Sequence, residues 1–263
     1  MDNLLQLLIL GLIEGVTEFL PISSTAHLLI AQHWIGPRSD AFNIIIQSGA
    51  ILAVLLIYWK KILDLILNIQ NPEKSNYLIK LITAFLLTCL MGYGIKKIGW
   101  TLPDTLAPII LSLLGGSLLI LYGEYRYAQS KEKITDSITW PVVFAVALAQ
   151  IFAAIFPGLS RSGAVILFAM LLHTSRPAAT EFSFLLGIPT MFAASILSYY
   201  SETHHLTRPP QEPISDILIA FLIATVTAFI AVRWLLRYVQ THTLTPFAYY
   251  RIAIALILIT LSY

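Results

Sequence analysis

Glu14 and Glu18 stand four residues apart in an otherwise apolar run over residues 4–35. On a helix this spacing puts both carboxylates on one face. Two such groups repel unless a proton or a cation sits between them. The pair therefore suits a divalent metal ion (Mg2+ or Ca2+) or acid/base work; the bland alternative is a pair of helix-end carboxylates at the water interface. Pro21-Ile22-Ser23-Ser24-Thr25-Ala26-His27 follows directly. The proline stops a helix, Ser23 or Ser24 can cap the next one, and a helix N-terminus with free N–H groups favours a phosphate. His27, three or four residues past the serines, can face the same spot as nucleophile, general acid/base or metal ligand; a lone histidine in an apolar helix also serves as a packing residue. A second polar stretch reads Pro157-Gly158-Leu159-Ser160-Arg161-Ser162-Gly163. Its glycines let backbone approach a ligand, and Arg161 suits bidentate phosphate binding. An ion pair of Arg161 with one of the glutamates is compatible with that role.

Those groups need a scaffold, and the composition names its solvent. Of 263 residues 57% are hydrophobic and 11% charged, against about 25% charged in soluble domains; the mean hydropathy is +0.80. This excludes an ordinary soluble enzyme, a nucleic-acid binder and a disordered chain, and points to a bilayer. The net charge of +2 implies no strong preference for acidic partners. The single cysteine, Cys89, excludes an intramolecular disulfide framework and reads as core packing. The leucine-rich start lacks the basic region of a cleaved signal peptide.

Spanning segments of roughly 20 apolar residues are expected at about 41–59, 78–95, 106–123, 180–200 and 214–232, with a sixth at about 246–263. Residues 4–35 and 138–172 are apolar too, but each is broken, at Pro21 and at Pro157-Gly158. Each reads as two half-length helices around a polar break. Non-helical backbone at membrane depth survives only inside protein or along a wet cavity, so both are candidate re-entrant hairpins. Glu14 and Gln150 each precede a break proline by seven residues, and Ser24 and Ser160 each follow one by three, an offset of 136. This internal symmetry predicts a single all-α polytopic membrane domain of two inverted repeats, about 1–125 and 138–263, joined by a cytoplasmic loop.

Charge sets the orientation. With loop 60–80 in the cytoplasm, that side receives Lys60, Lys61, Lys74, Lys80, Arg126, Lys131, Lys133, Arg176, Arg233, Arg237 and Arg251, and the outside Arg38, Lys96, Lys97 and Arg208. The excess has the positive-inside sign and puts both termini outside. Among weaker polar positions, Gln47 lines the site or bonds a neighbouring helix, and Glu181 is expected as an N-terminal dipole partner. His33, His173, His204, His205 and His242 fall at loops or ends. Trp34, Trp59, Trp100 and Trp140 fit an aromatic belt.

The segments from Glu14 to His27 and from Pro157 to Gly163 closely resemble the two signatures of bacterial undecaprenyl-diphosphate phosphatases: E-x-x-x-E continued by Ser-Ser-Thr-x-His, and P-G-x-S-R-S. Glu181-Phe-Ser-Phe-Leu-Leu and Pro246-Phe-Ala-Tyr-Tyr-Arg251 look like the family as well, so the resemblance spans nearly the whole chain. It implies an integral enzyme of the bacterial inner membrane that hydrolyses undecaprenyl diphosphate to the monophosphate carrier used for peptidoglycan, and that confers bacitracin resistance. It carries the paired acidic residues onto Glu14 and Glu18, the hydroxyl motif onto Ser23, Ser24 and Thr25, the histidine onto His27 and the arginine onto Arg161. Together with the reading of the residues, this puts catalysis on Glu14, Glu18, Ser24, His27 and Arg161, substrate binding on Ser23, Thr25, Ser160, Arg161, Ser162 and Gly163, and a divalent cation, Mg2+ or Ca2+, on Glu14 and Glu18. Ala26 stands where glycine is common, and Val165 where a threonine usually ends the second motif.

The expected partners are a polyprenyl diphosphate and membrane lipids, with no nucleic acid; homo-oligomerisation stays open. The site is expected to face the periplasm. The residues leave the nucleophile open among Ser24, His27 and water. They also admit a transporter or flippase for the lipid carrier, since broken helices in inverted repeats are transporter architecture, and, more remotely, an intramembrane serine protease using Ser24 and His27, which would leave Arg161 unexplained.

Overall fold

The computed structural model describes residues 2–98, 106–205 and 212–261; Trp100 and Arg208 lie outside the described residues. These form ten helices: α1 (Asn3–Thr17), α2 (Ser24–Ile35), α3 (Asp40–Leu67), α4 (Pro72–Lys97), α5 (Leu106–Gln129), α6 (Trp140–Ile155), α7 (Arg161–Leu171), α8 (Arg176–His205), α9 (Ile214–Thr241) and α10 (Thr245–Leu261). Helices α3, α4, α5, α8 and α9 are long and apolar enough to cross a membrane. The sixth expected span, α10, has 17 described residues, about 26 Å at 1.5 Å per residue against a core of about 30 Å.

The broken segments fold back on themselves. Helices α1 and α2 have 15 and 12 residues, and α6 and α7 have 16 and 11, so no half reaches spanning length. Arg38, just past α2, donates to Asn3 Oδ1 at 2.5 Å and Gln6 Oε1 at 2.7 Å, which joins the end of α2 to the start of α1. Before α6, Thr135 donates its N–H to the His173 carbonyl and accepts from the Ser175 N–H, just past α7. Both pairs are thus re-entrant hairpins with entry and exit on one side. The hairpins enter from opposite ends of the molecule. One end gathers Asn3, Arg38, Ser39, Glu212 and Asp216 through hydrogen bonds. The other gathers Glu124, Arg176 and Leu244, with Arg176 donating to Glu124 at 2.5–3.1 Å and the Leu244 N–H at 2.7 Å.

In a bilayer there is little hydrophobic force between helices, and small residues decide where backbones approach. Helix α1 packs on α9 through Gly11 and Gly15. A Cβ at Gly11 would lie 2.7 Å from the Ala220 carbonyl, and one at Gly15 would strike Thr227 and the backbone of α9. Gly11-x-x-x-Gly15 is a small-residue motif readable in the sequence, and it fixes the helix that carries Glu14. Helix α3 also lies on α9, α6 on α4, α8 on α3 and α10 on α5. The main apolar core joins Phe19, Val54, Val146, Ile166, Phe182 and Phe184. Outside, Leu56, Leu86, Leu90, Leu111, Ile196 and Ile230 stay more than half exposed, as a lipid-facing surface requires.

Three expectations change. Cys89 is exposed on the outer face of α4, so it is not core packing. Glu181 lies in the second turn of α8 and pairs with Lys61 instead of serving as an N-terminal dipole partner. Arg251 is 1% exposed inside the protein, not at a cytoplasmic loop. Its site belongs to the breaks themselves.

Candidate active site

The loop from Glu18 to Ser23 ends in a residue that no helix would choose. Ser23 has φ 73 and ψ 98, and Ser160 has φ 69 and ψ 109. Left-handed backbone is costly for a residue with a Cβ. The same conformation recurs at the same place, the residue before each second half-helix. Each serine caps its helix, accepting from the Ala26 N–H at 3.4 Å and the Gly163 N–H at 3.3 Å. The backbone thus matches Ser23 with Ser160, an offset one residue longer than the 136 read from the side chains.

The two breaks touch each other. Ser160 and Ser162 donate their hydroxyls to the Leu20 carbonyl at 3.4 and 3.3 Å. A Cβ on Gly163 would lie 3.0 Å from Pro21 Cβ, so a small residue lets α7 close on the first break. Arg161 crosses the junction and donates from Nη2 to Glu18 Oε1 at 3.2 Å. Glu18 Oε2 accepts from the Ser24 hydroxyl. One carboxylate therefore joins a hydroxyl from one break to a guanidinium from the other. The guanidinium also lies over Phe19, at 5.9 Å from the ring centroid, and Nη2 contacts Met191 Sδ at 2.7 Å. Arg161 Nη1 is buried without a partner.

A cavity of about 250 Å3 opens beside this junction, lined by Glu18, Ser23, Ser24, Thr25, Ser160 and Arg161 among the expected residues. Gln47, Thr88, Gln150, Thr190 and Met191 also line it, with Pro157, Gly158 and three alanines. Gln150 donates to Thr88 Oγ1 at 2.9 Å while its Oε1 stays buried and free. The wall residues of α3, α4 and α8 lie at or beyond mid-helix toward the Arg38 end, which puts the cavity in that half of the molecule. Buried polar atoms without partners are uncommon, and two residues of this wall, Arg161 and Gln150, each keep one.

The other expected residues lie behind the wall. Glu14, 1% exposed, has its carboxyl against that of Glu18 and leaves Oε1 without a partner. His27 does not line the cavity. Its Nδ1 bonds the Ser23 carbonyl and its Nε2 the Tyr250 hydroxyl, both at 2.7 Å, with the two rings stacked. Ser162 and Gly163 face the first break, not the cavity. Val165 is fully buried in the apolar core, so a hydroxyl at that position would not line the cavity. Among the described residues no three His, Cys, Asp or Glu side chains gather into a metal site. Two carboxylates with an orphan oxygen still fit Mg2+, which is held by one or two carboxylates and completed by substrate phosphates and water. Sequence reasoning missed Thr88, Thr190 and Met191, whose types are unremarkable in apolar helices, and the interior position of Arg251.

A profile of the family described as bacitracin resistance protein BacA matches residues 7–257. The chain is 49% identical over 255 residues to an undecaprenyl-diphosphatase of Rhizobium etli (strain CIAT 652), covering 97% of this chain and 95% of that one. It is 47% identical over 261 residues to proteins of the same name from Methylacidiphilum infernorum, covering 99% and 97%, and Xylella fastidiosa (strain Temecula1 / ATCC 700964), covering 99% of both. With its broken helices, its paired glutamates and a match over nearly its full length, this multi-pass membrane protein belongs to the BacA bacitracin resistance family.

Proposed function

We propose that the protein hydrolyses undecaprenyl diphosphate to undecaprenyl phosphate and inorganic phosphate, recycling the lipid carrier for cell-envelope synthesis and conferring bacitracin resistance. The observation that carries the reading is Glu18, which holds the Ser24 hydroxyl and the Arg161 guanidinium at one cavity between two helix N-termini. Phosphoryl transfer needs charge neutralisation, an in-line nucleophile and a stabilised leaving group. The Arg161 guanidinium and the first N–H groups of α2 and α7 would hold the diphosphate.

Ser24 is the nucleophile and Glu18 its base, because their contact is the nucleophile–base pairing such chemistry needs. The Ser24 Oγ–P bond forms as the bridging P–O bond breaks, undecaprenyl phosphate leaves, and Glu18 holds the proton. Water then attacks the phosphoserine, phosphate departs, and Ser24 regains its proton. His27 keeps the first break in shape through the Ser23 carbonyl. A divalent cation at Glu14 and Glu18 would neutralise charge on the diphosphate when bound.

Support for two inverted repeats comes from packing: α1 on α9 is mirrored by α6 on α4, α3 on α9 by α8 on α4, while α5–α10 and α3–α8 pair each element with its own counterpart. The cavity would open to the periplasmic side of the inner membrane, since it lies in the half with fewer basic residues.

The test uses terminally 32P-labelled undecaprenyl diphosphate and purified protein in detergent, where transport has no meaning. Wild type should release phosphate and carry acid-stable label on the protein after rapid quenching. Arg161→Ala and Glu18→Gln should lose phosphate release by about 100-fold or more, and Ser24→Ala should carry no label. Near wild-type release by Arg161→Ala and Glu18→Gln would sink the reading; a labelled Ser24→Ala protein would remove Ser24 as nucleophile.

A further inference from the structure

Arg251 carries a charge that the proposed chemistry does not use. It is 1% exposed and pairs with no carboxylate among the described residues. Its guanidinium instead donates to five backbone carbonyls from three segments. Nη1 reaches Leu159 at 2.9 Å and Pro21 at 3.3 Å. Nη2 reaches Ser112 at 3.0 Å, Gly158 at 3.1 Å and Leu113 at 3.4 Å, and Nε also reaches Leu113 at 3.4 Å. One side chain thus ties both breaks to α5. Helix α5 admits it only because Gly116 has no side chain: a Cβ there would lie 2.9 Å from the Arg251 Cζ and closer still to Nη2.

Three of these carbonyls, those of Pro21, Gly158 and Leu159, belong to irregular backbone between helices, which must be satisfied internally at membrane depth; those of Ser112 and Leu113 lie within α5 and anchor the guanidinium there. Their direction matters as much as their satisfaction. A trans peptide points its C=O and N–H opposite ways. With the Leu159 carbonyl held on Arg251, the Ser160 N–H projects away from it, and Ser160 lines the cavity. It joins the Arg161 and Ser162 N–H groups, which precede the capped Gly163 N–H at the start of α7, and such successive donors form an anion-binding concavity. Tyr250, the preceding residue, holds His27. A buried charge without a counterion is costly, and the nearest anion the chemistry supplies is the diphosphate across these peptides.

We infer that Arg251 is a positioning residue for the phosphatase reaction. It touches no substrate. From behind, it fixes the peptide planes of both breaks so that the donors of α7 and the Ser24 hydroxyl converge on the terminal phosphorus. The inference rests on the phosphatase reading.

The test compares Arg251→Lys, Gly116→Ala and, as a control at the far end, Arg176→Lys. Lysine keeps the charge but is a compact point donor that cannot span three segments. Gly116→Ala leaves Arg251 in place and pushes the guanidinium from the other side. In steady-state hydrolysis of undecaprenyl diphosphate in detergent, Arg251→Lys should lower kcat about 100-fold, as small misplacements do, with KM within about threefold of wild type. Gly116→Ala should lower kcat about 10-fold. Arg176→Lys should lower the melting temperature without changing kcat. If Arg251→Lys does not fold, Gly116→Ala decides. Wild-type kcat in a folded Arg251→Lys or Gly116→Ala protein, or a kcat that falls with melting temperature equally in Arg176→Lys, would overturn the inference while wild-type turnover left the phosphatase reading standing. A wild type that releases no phosphate would remove that reading, and the inference with it.

Discussion

Arg161 acts only if its guanidinium stays where Glu18 and the cavity both reach it, and one glycine secures that. A Cβ on Gly187 would lie 2.7 Å from Arg161 Nη1, the nitrogen without a partner. Gly187→Ala is therefore expected to push the guanidinium off its seat beside Glu18 and the cavity while leaving the charge in place. The expected loss in kcat/KM is about 10- to 100-fold, with a smaller effect on melting temperature, read by phosphate release and thermal unfolding in detergent. Unchanged kcat/KM would show that turnover does not depend on this seat of the Arg161 guanidinium. At this scale much was legible. Glutamates, serines and arginine inside apolar runs stand out because charge at membrane depth is penalised by roughly 2.5–3.5 kcal/mol per residue on insertion scales. Two things were not legible. That the His27 ring turns to Tyr250, 223 residues away, and not to the cavity does not follow from its spacing after the serines. The same penalty that singled out Arg161 also applies to Arg251, but its position near a helix start made it look like a loop charge.

At the scale of elements, the breaks were readable because proline and glycine interrupt an apolar pattern too short on either side to span. What the pattern could not carry is why the half-helices stay put. Helix α1 has 15 residues and holds Glu14 near its end, and it is seated by the contact of Gly11 and Gly15 with α9. Gly15→Ala is expected to destabilise the protein by about 1–3 kcal/mol through overpacking. Because α1 leads into Glu18, phosphatase activity should fall further than melting temperature alone accounts for, when compared with an equally destabilised Arg176→Lys protein. Equal losses would mean that the α1–α9 seam supports only the fold. Sequence spacing shows that Gly11 and Gly15 share a face; which helix meets that face is fixed by the tertiary arrangement. The alignment of the repeats shows the same limit: side-chain types matched Ser24 with Ser160, whereas backbone conformation matches Ser23 with Ser160.

For the whole molecule, the open question of orientation turns on charge and on the two polar clusters at opposite ends. Taking Arg251 out of the loops leaves Lys60, Lys61, Lys74, Lys80, Arg126, Lys131, Lys133, Arg176, Arg233 and Arg237 toward the end where Arg176 meets Glu124. Only Arg38, Lys96, Lys97 and Arg208 belong to the other end in the sequence, and there Arg38 lies 3.9 Å from Glu212. The bias survives the correction, and the positive-inside rule counts basic residues, not net charge, so the Arg38 end should face outward with the cavity in its half. Single cysteines in a Cys89→Ser background test this. Pro37 and Gln70 are both exposed, one beside Arg38 and the other in the turn between α3 and α4. Pro37→Cys is expected to react with a membrane-impermeant maleimide added to intact cells with a permeabilised outer membrane. Gln70→Cys should react only after lysis. The opposite pattern would turn the cavity toward the cytoplasm, and the substrate would then have to be drawn from the inner leaflet.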